Sequence, residues 1–317
     1  MTADPGPRYI VVIPARDESE RLEGALSAIE RAAAATSKPV ALLVLANNCT
    51  DETAAFARHI AVGFDRCVVE VTEEHLPSDR AHAGGARQRA FARALRTFNA
   101  SEGDILVSTD ADARLRGDAF RHMDRAFEAG AQVVLAKLES MTDPLDPVAD
   151  HAVAWGRPGL LWRCSVRRFV ETVRSGEIAS SAVHDDYGGA GIAICVEAYN
   201  ALGGFPPIPC HEDLWLVRAA DAAAMSVNRQ SGVIVDVLAR ATGRARGGMA
   251  DTLARFGAAA TENIPCLVEH HSATIRRVFR NPTHANAFPA RITEWEPASA
   301  AIAGLERAIA SFVGDAG

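Results

Sequence analysis

Short runs of strand-forming residues at Tyr9–Ile13, Val40–Leu45 and Ile105–Thr109 each stop at a polar cluster, and segments of helical periodicity separate them. Such runs have the profile of strands buried on both faces of a parallel sheet. Ser19 to Ala35 places Leu22, Ala25, Leu26 and Ile29 at helical spacing, with Ser19 as a candidate cap. Asp51–Ile60, Gly85–Phe98 and Gly117–Ala129 read as further helices, and Cys67–Val71 and Gln132–Leu138 as further strands. In Gly85–Phe98 the apolar face is Ala90, Phe91, Ala94, Leu95 and Phe98, with Arg on the other side. This alternation predicts an α/β fold, an open parallel sheet with helices on both faces. Ligands of such sheets bind beyond the carboxyl ends of the strands. Pro14-Ala15-Arg16-Asp17-Glu18, Asn47-Asn48-Cys49-Thr50-Asp51 and Asp110-Ala111-Asp112 each follow a strand, so all three fall on that edge.

Beyond Asp143-Pro144-Leu145-Asp146-Pro147 the pattern lapses. Residues 148–175 read as helical, and Gly188-Gly189-Ala190-Gly191 leads into an apolar run ending at Cys195. Val233–Leu238 is the last expected strand, and the tail has helical stretches at Asp251–Ala260 and Ser299–Val313. The expected organisation is a catalytic domain over residues 1–247, with a helical extension over 248–317 packed on it. A net charge of −7 argues against non-specific nucleic-acid binding. The six cysteines show no C-x-x-C spacing and read as buried free thiols of a reducing compartment. The start of the chain lacks a basic segment followed by an apolar core, and no apolar stretch approaches the ~20 residues that span a bilayer. A cytoplasmic protein with no transmembrane segment is expected.

Two acidic motifs carry the chemistry. Asp110-Ala111-Asp112, at the close of a strand, offers two carboxylates on one side for a hard divalent cation. About a hundred residues later Glu212-Asp213 opens a helix and offers a remote carboxylate able to take a proton. Metal plus remote base is what moving a sugar off a nucleotide diphosphate requires: the leaving diphosphate must be neutralised while the acceptor hydroxyl is deprotonated. Taken singly, each pair also fits a plainer role, serving a helix dipole or capping a helix N-terminus. Arg87 has two readings, a group near a nucleotide or part of a solvated helix face. Arg244 and Arg246, in a Gly-containing loop after the last strand, are either pyrophosphate ligands or solvated surface. His184, Asp185 and Asp186 are candidates to line an acceptor site, and His211 reads as a polar loop residue. Gly188, Gly189 and Gly191 lack the context of a dinucleotide fingerprint, and neither a P-loop nor a G-x-S-x-G elbow is present.

In this order Pro14-Ala15-Arg16-Asp17-Glu18, Asn47-Asn48-Cys49-Thr50-Asp51-Glu52-Thr53, Asp110-Ala111-Asp112, Gly203-Gly204-Phe205 and Glu212-Asp213 resemble the signature of glycosyltransferase family 2, over about residues 8–240. The resemblance implies the GT-A fold, a mostly parallel twisted sheet flanked by helices, here with a C-terminal helical extension. It implies an inverting, metal-dependent, hexosyltransferase-like enzyme using Mg²⁺ or Mn²⁺ and a nucleotide-diphosphate sugar, a UDP-sugar being favoured. Pro14, Ala15 and Glu18 would then lie near base or ribose, Asn47 at the base edge, and Arg87 near the nucleotide. Asp112 would hold the metal, with Asp110 near the ribose or a metal-bound water. Asp213 would be the base and Glu212 would orient the acceptor. The chain departs from the family pattern at Arg16-Asp17, where an aromatic then Asn is commoner, and at Asn47, where Asp is commoner. The acceptor is expected to be a small molecule or glycoconjugate, since the Q-x-x-R-W-type motif of processive members is missing. The alternatives are a non-catalytic nucleotide-sugar binding protein and, less favoured, a sugar nucleotidyltransferase, which needs a glycine- and basic-rich loop where Pro14–Glu18 stands.

Overall fold

The computed structural model describes residues 8–229, 232–243, 245, 247–280 and 294–314. Its elements run β1 (Tyr9–Ala15), α1 (Leu22–Ala33), β2 (Val40–Asn47), α2 (Thr53–Ala61), β3 (Cys67–Glu74), α3 (Ala83–Thr97), β4 (Ile105–Ser108), β5 (Ala113–Leu115), α4 (Ala119–Glu128), β6 (Val133–Leu135) and β7 (Lys137–Thr142). There follow α5 (Asp150–Ser175), a 3₁₀ turn at Gly189–Gly191, β8 (Ile192–Cys195), α6 (Val196–Ala201), α7 (Glu212–Ala222), β9 (Val227–Asn228) and β10 (Ile234–Ala239). The chain closes with α8 (Met249–Thr261), β11 (Leu267–Glu269), α9 (His271–Arg280), β12 (Trp295–Pro297) and α10 (Ala298–Gly314).

Two compact units result. The first draws on the chain up to Met141 and on Tyr187–Leu238; the second takes Thr142–Asp186, Ala239–Gly243 and the segments after Gly247. The helical extension expected from residue 248 is present, but residues 142–186 join it in the second unit instead of the sheet domain. Within that unit Trp162, Val166, Phe169 and Val170 of α5 share a core with Val268, Val278, Ala301, Leu305 and Ile309.

The first unit is built on a seven-stranded sheet in the order β3-β2-β1-β4-β8-β6-β9. Strands β3, β2, β1 and β4 are parallel, while β8 runs antiparallel to both β4 and β6. The alternation of β1 decides what covers each face. Tyr9, Val11 and Ile13 pack with Leu22, Leu26 and Ile29 of α1 and Phe120 and Met123 of α4. Ile10 and Val12 pack with Ala90, Phe91 and Ala94 of α3 and Leu216 and Val217 of α7. Because both faces are covered, β2 is buried at every position, which is why it reads as one uninterrupted apolar run. A smaller sheet has the order β5-β10-β7.

Several elements differ from the sequence expectation. Strand β4 ends at Ser108, and the expected strand 132–138 divides into β6 and β7. The strand expected at Val233–Leu238 is β10, but β11 and β12 follow it, and α9 was not foreseen. Ser19 does not cap α1: the helix begins at Leu22, whose N–H binds the Glu18 carbonyl, and the Ser19 N–H donates to Asp51. All six cysteines are free, but only Cys67 is fully buried, the others being partly so.

One polar cluster fastens β1 to α4. Asp124 accepts hydrogen bonds from the Tyr9 hydroxyl at 2.9 Å, Thr36 Oγ1 at 2.8 Å and Lys38 Nζ at 2.5 Å. Burial and the neighbouring Asp124 charge hold the Tyr9 pKa well above its usual value, so the hydroxyl stays a donor. Tyr9→Phe is expected to cost about 1 kcal/mol and Asp124→Ala about 1–3 kcal/mol in a urea unfolding titration, since the latter strands a buried hydroxyl. Equal midpoints for Asp124→Ala and the unaltered chain would show that the cluster does not hold the sheet.

Candidate active site

The first two motifs are cross-tied at the sheet edge. Asp17, in a left-handed turn (φ 49°), accepts the Thr50 N–H at 2.6 Å and the Thr50 hydroxyl at 3.2 Å. The Glu18 N–H donates to Thr53 Oγ1 at 2.9 Å. Burial works against the charge on Asp51, but hydrogen bonds from Thr53 and Ser19 outweigh it and hold its pKa below the usual carboxylate range. Burial pushes the Cys49 thiol up, so this cysteine is a protonated neighbour of the loop at neutral pH. Asn48 performs the turn role: its side chain exchanges two hydrogen bonds with the Leu76 backbone, at 2.9 and 3.1 Å. Asn47 is different. It is buried, and among the described residues its amide makes one 3.5 Å contact, to Asn48. Most of its hydrogen-bonding capacity is unused there. Pro14 is half-buried, and Ala15 and Glu18 are buried beside this loop pair.

Arg87 lies at the centre of the site. It is buried at 5% exposure, which removes the solvated-helix reading. Its Nε donates to Glu212 Oε1 at 2.9 Å, its Nη1 to Ser108 Oγ at 2.7 Å and Gly189 O at 3.2 Å, and its Nη2 to Asp110 Oδ1 at 2.8 Å. Burial opposes its charge, but Asp110 and Glu212 more than compensate and raise its pKa above the ordinary guanidinium value. The guanidinium carbon lies 5.7 Å from the centroid of the Phe205 ring. That ring is placed by the Gly203-Gly204 turn, both glycines at positive φ, and by Phe91 and Tyr199. The Tyr199 hydroxyl accepts the Phe205 N–H, and burial lifts its pKa to about 12.

The two acidic motifs are therefore joined through one cation. Asp110 and Asp112 do not continue the strand. They lie in a turn between β4 and β5 closed by the Ala113 N–H on Asp110 O, so the turn and not strand alternation sets their spacing. The element that opens directly after them is the strand β5, not a helix, which removes the dipole reading. Asp110 keeps its side chain 38% exposed, with one oxygen on Arg87, and Asp112 is half-buried. The donor set is carboxylate oxygen throughout, which fits a hard divalent cation.

Glu212 and Asp213 are the first two residues of α7, after His211 in a left-handed conformation that makes no side-chain cap. Glu212 is buried and ion-paired with Arg87 at 2.9 Å. Asp213 is half-buried, with Oδ2 accepting the Gly189 N–H at 2.8 Å and Oδ1 the Leu214 N–H at 2.7 Å. A capping role thus accounts for one oxygen only. Gly189 and Ser108 were not picked out from sequence. The signal was the glycine cluster: a Cβ on Gly189 would lie 2.3 Å from Arg87 Nη2, so only glycine admits the guanidinium there. Arg244 and Arg246 lie outside the described residues. His184 and Asp185 are buried in the second unit, where Asp185 pairs with Arg163 and Arg167.

Residues 7–252 match the family profile described as Glycosyltransferase like family 2. The chain belongs to this family. It has the GT-A fold. No curated protein sequence matches it significantly. A mannosyltransferase from Pyrobaculum calidifontis, solved in complex with GDP-Man and Mn²⁺, aligns with a TM-score of 0.54 at 18% identity, over 99% of this chain and 77% of that one. Residues 1–349 of TarS from S. aureus in complex with UDP-GlcNAc align with a TM-score of 0.50 at 13% identity, over 88% and 73%. The alignment with an uncomplexed structure of that TarS segment spans 60% of its length (73% of this chain, 12% identity, TM-score 0.46). At these identities the likeness speaks for the fold. No helix among the described residues of this family member is long and apolar enough to cross a membrane.

Proposed function

We propose that the chain is an inverting, metal-dependent glycosyltransferase that moves a sugar from a nucleotide-diphosphate donor, a UDP-sugar first, to a hydroxyl of a small-molecule or glycoconjugate acceptor. The observation that carries this is the buried Arg87, which links Asp110 of the first acidic motif to Glu212 of the second at the sheet edge. Asn47 supports a base site, since an amide both donates and accepts. Asp112 and Asp110 would hold Mg²⁺ or Mn²⁺, which supplies neutralisation of the leaving diphosphate. Asp213, fixed by Gly189, takes the acceptor hydroxyl proton as the new bond to the anomeric carbon forms and the bond to the diphosphate oxygen breaks. Pro14, Ala15 and Glu18 line the nucleotide side. Free thiols at all six cysteines support a cytoplasmic setting.

The test is turnover: UDP- and GDP-sugars with Mn²⁺ and a panel of hydroxyl acceptors, scored by release of nucleoside diphosphate and by the anomeric configuration of the product. Binding without release would favour the non-catalytic nucleotide-sugar binding reading. Asp112→Ala is expected to weaken diphosphate binding in Mn²⁺ and to leave the metal-free affinity nearly unchanged in calorimetry. Matching affinities in Mn²⁺ for the variant and the unaltered chain would rule out that role for Asp112.

A further inference from the structure

The second unit holds a cluster of side chains to which the proposed transfer assigns no role. His270 and His271 stand in succession at the start of α9, and Glu296 lies on β12. Donor atoms of all three lie within 4.8 Å of one another. His271 Nδ1 is 2.8 Å from Glu296 Oε1, and His270 Nε2 is 3.7 Å from Glu296 Oε2. The two imidazoles stack, with centroids 4.5 Å apart and planes 25° apart, so each turns a ring nitrogen toward the same carboxylate.

The surroundings hold these groups in place. The Glu296 side chain is 12% exposed, and its Oε1 also accepts the His271 N–H at 2.6 Å. Helix α10 presents Gly304 to the His271 ring. A Cβ at Gly304 would lie 2.2 Å from the His271 Cγ, so the missing side chain is what admits the imidazole. Two arginines of α9 are engaged elsewhere, Arg276 with Glu294 and Arg277 with Glu269. Among the described residues no Arg or Lys pairs with Glu296. Its partners are two imidazoles.

We propose that His270, His271 and Glu296 form a binding site for a zinc-class divalent cation, with a fourth position open to water. Zinc–nitrogen and zinc–oxygen bonds of about 2.0–2.2 Å in a tetrahedron put neighbouring donors roughly 3.3–3.5 Å apart. One donor atom from each of the three residues already lies within 4.8 Å of the others, so small side-chain rotations reach that spacing. Binding through His270 Nε2 places the ring proton on Nδ1 and gives up its 3.3 Å contact with the Ser272 N–H, the longest hydrogen bond in the cluster. Imidazole nitrogen selects Zn²⁺ over Mg²⁺ and Mn²⁺, so this site takes a different ion from the carboxylate pair Asp110 and Asp112. Its consequence is structural: the ion clamps the start of α9 to β12.

The full chain, stripped of metal and held in excess Mg²⁺, is titrated with ZnCl₂ by calorimetry. One saturable site is expected, with a rise in melting temperature at saturation. Glu296→Gln keeps an acceptor for the His271 N–H, and His271→Ala removes one ligand; each is expected to weaken zinc binding roughly tenfold or more. Mn²⁺-dependent nucleotide binding should be unchanged in both. Cobalt(II) added to the unaltered chain should give visible bands of a four-coordinate nitrogen–oxygen site, discharged by zinc, and this readout decides even where a variant fails to fold. The proposal is overturned if zinc does not saturate, if folded variants bind as the unaltered chain does, or if cobalt gives no such bands.

Discussion

Asp213→Asn is expected to slow glycosyl transfer by roughly 10²–10⁴-fold, the usual contribution of a positioned general base, while donor binding persists. The substitution keeps the shape of the side chain and removes its basicity. Oδ1 and Oδ2 now accept from Leu214 and Gly189, and an amide has one acceptor oxygen for those two N–H groups. A small loss of stability in the first turn of α7 should therefore accompany the rate loss, and a melting curve separates the two. The metal pair lies at the other end of the Arg87 network, so affinity for the nucleotide diphosphate should hold. Near-normal turnover by Asp213→Asn, or a product that keeps the donor's anomeric configuration, would refute this mechanism.

Arg87→Met should be the most damaging substitution for stability. Glu212 is 4% exposed and would be left buried without its cation, a situation that typically costs about 3–5 kcal/mol. Asp110 loses less, because its side chain reaches solvent. Pairing the change with Glu212→Gln removes the stranded charge, so the double variant should regain much of the lost stability. Activity should not return, because Asp110 stays unanchored. Denaturant unfolding of both singles and the double forms the cycle that measures this coupling. If the double variant is no more stable than Arg87→Met, the Arg87–Glu212 pair is not what holds the network.

The edge of the sheet was legible because strands buried on both faces leave continuous apolar runs, and the polar clusters ending β1, β2 and β4 could then be placed together. Arg87 was named as a candidate, but its burial and its partners were not legible. A helix with apolar residues on one face and arginines on the other reads as half-solvated, and its acceptors come from positions 21 to 125 residues away. The Glu212-Asp213 pair was found and the resemblance divided its roles, but adjacent residues on a helix point in different directions, and the burial of Glu212 against Arg87 was not legible. Gly188-Gly189 carried its signal as a negative, a glycine cluster without a dinucleotide context. Its meaning rests on the close approach of Arg87, which only packing reveals. The cut expected at residue 247 placed α5 by chain order, whereas its apolar face is matched by helices from the chain's end.

The antiparallel β8 has a bearing on how the molecule is made. Of the strands of the large sheet, β6 is the next to be made after β4, yet β8 lies between them. A nascent chain lacking Ile192–Cys195 has no strand to fill that gap, so β4 and β6 would each present an unpaired edge while α5 is still emerging. Pairing across so long an excursion carries a loop-closure cost that local contacts do not. The segment that brings Gly189 to Arg87 thus also sets the moment in translation at which the sheet can close.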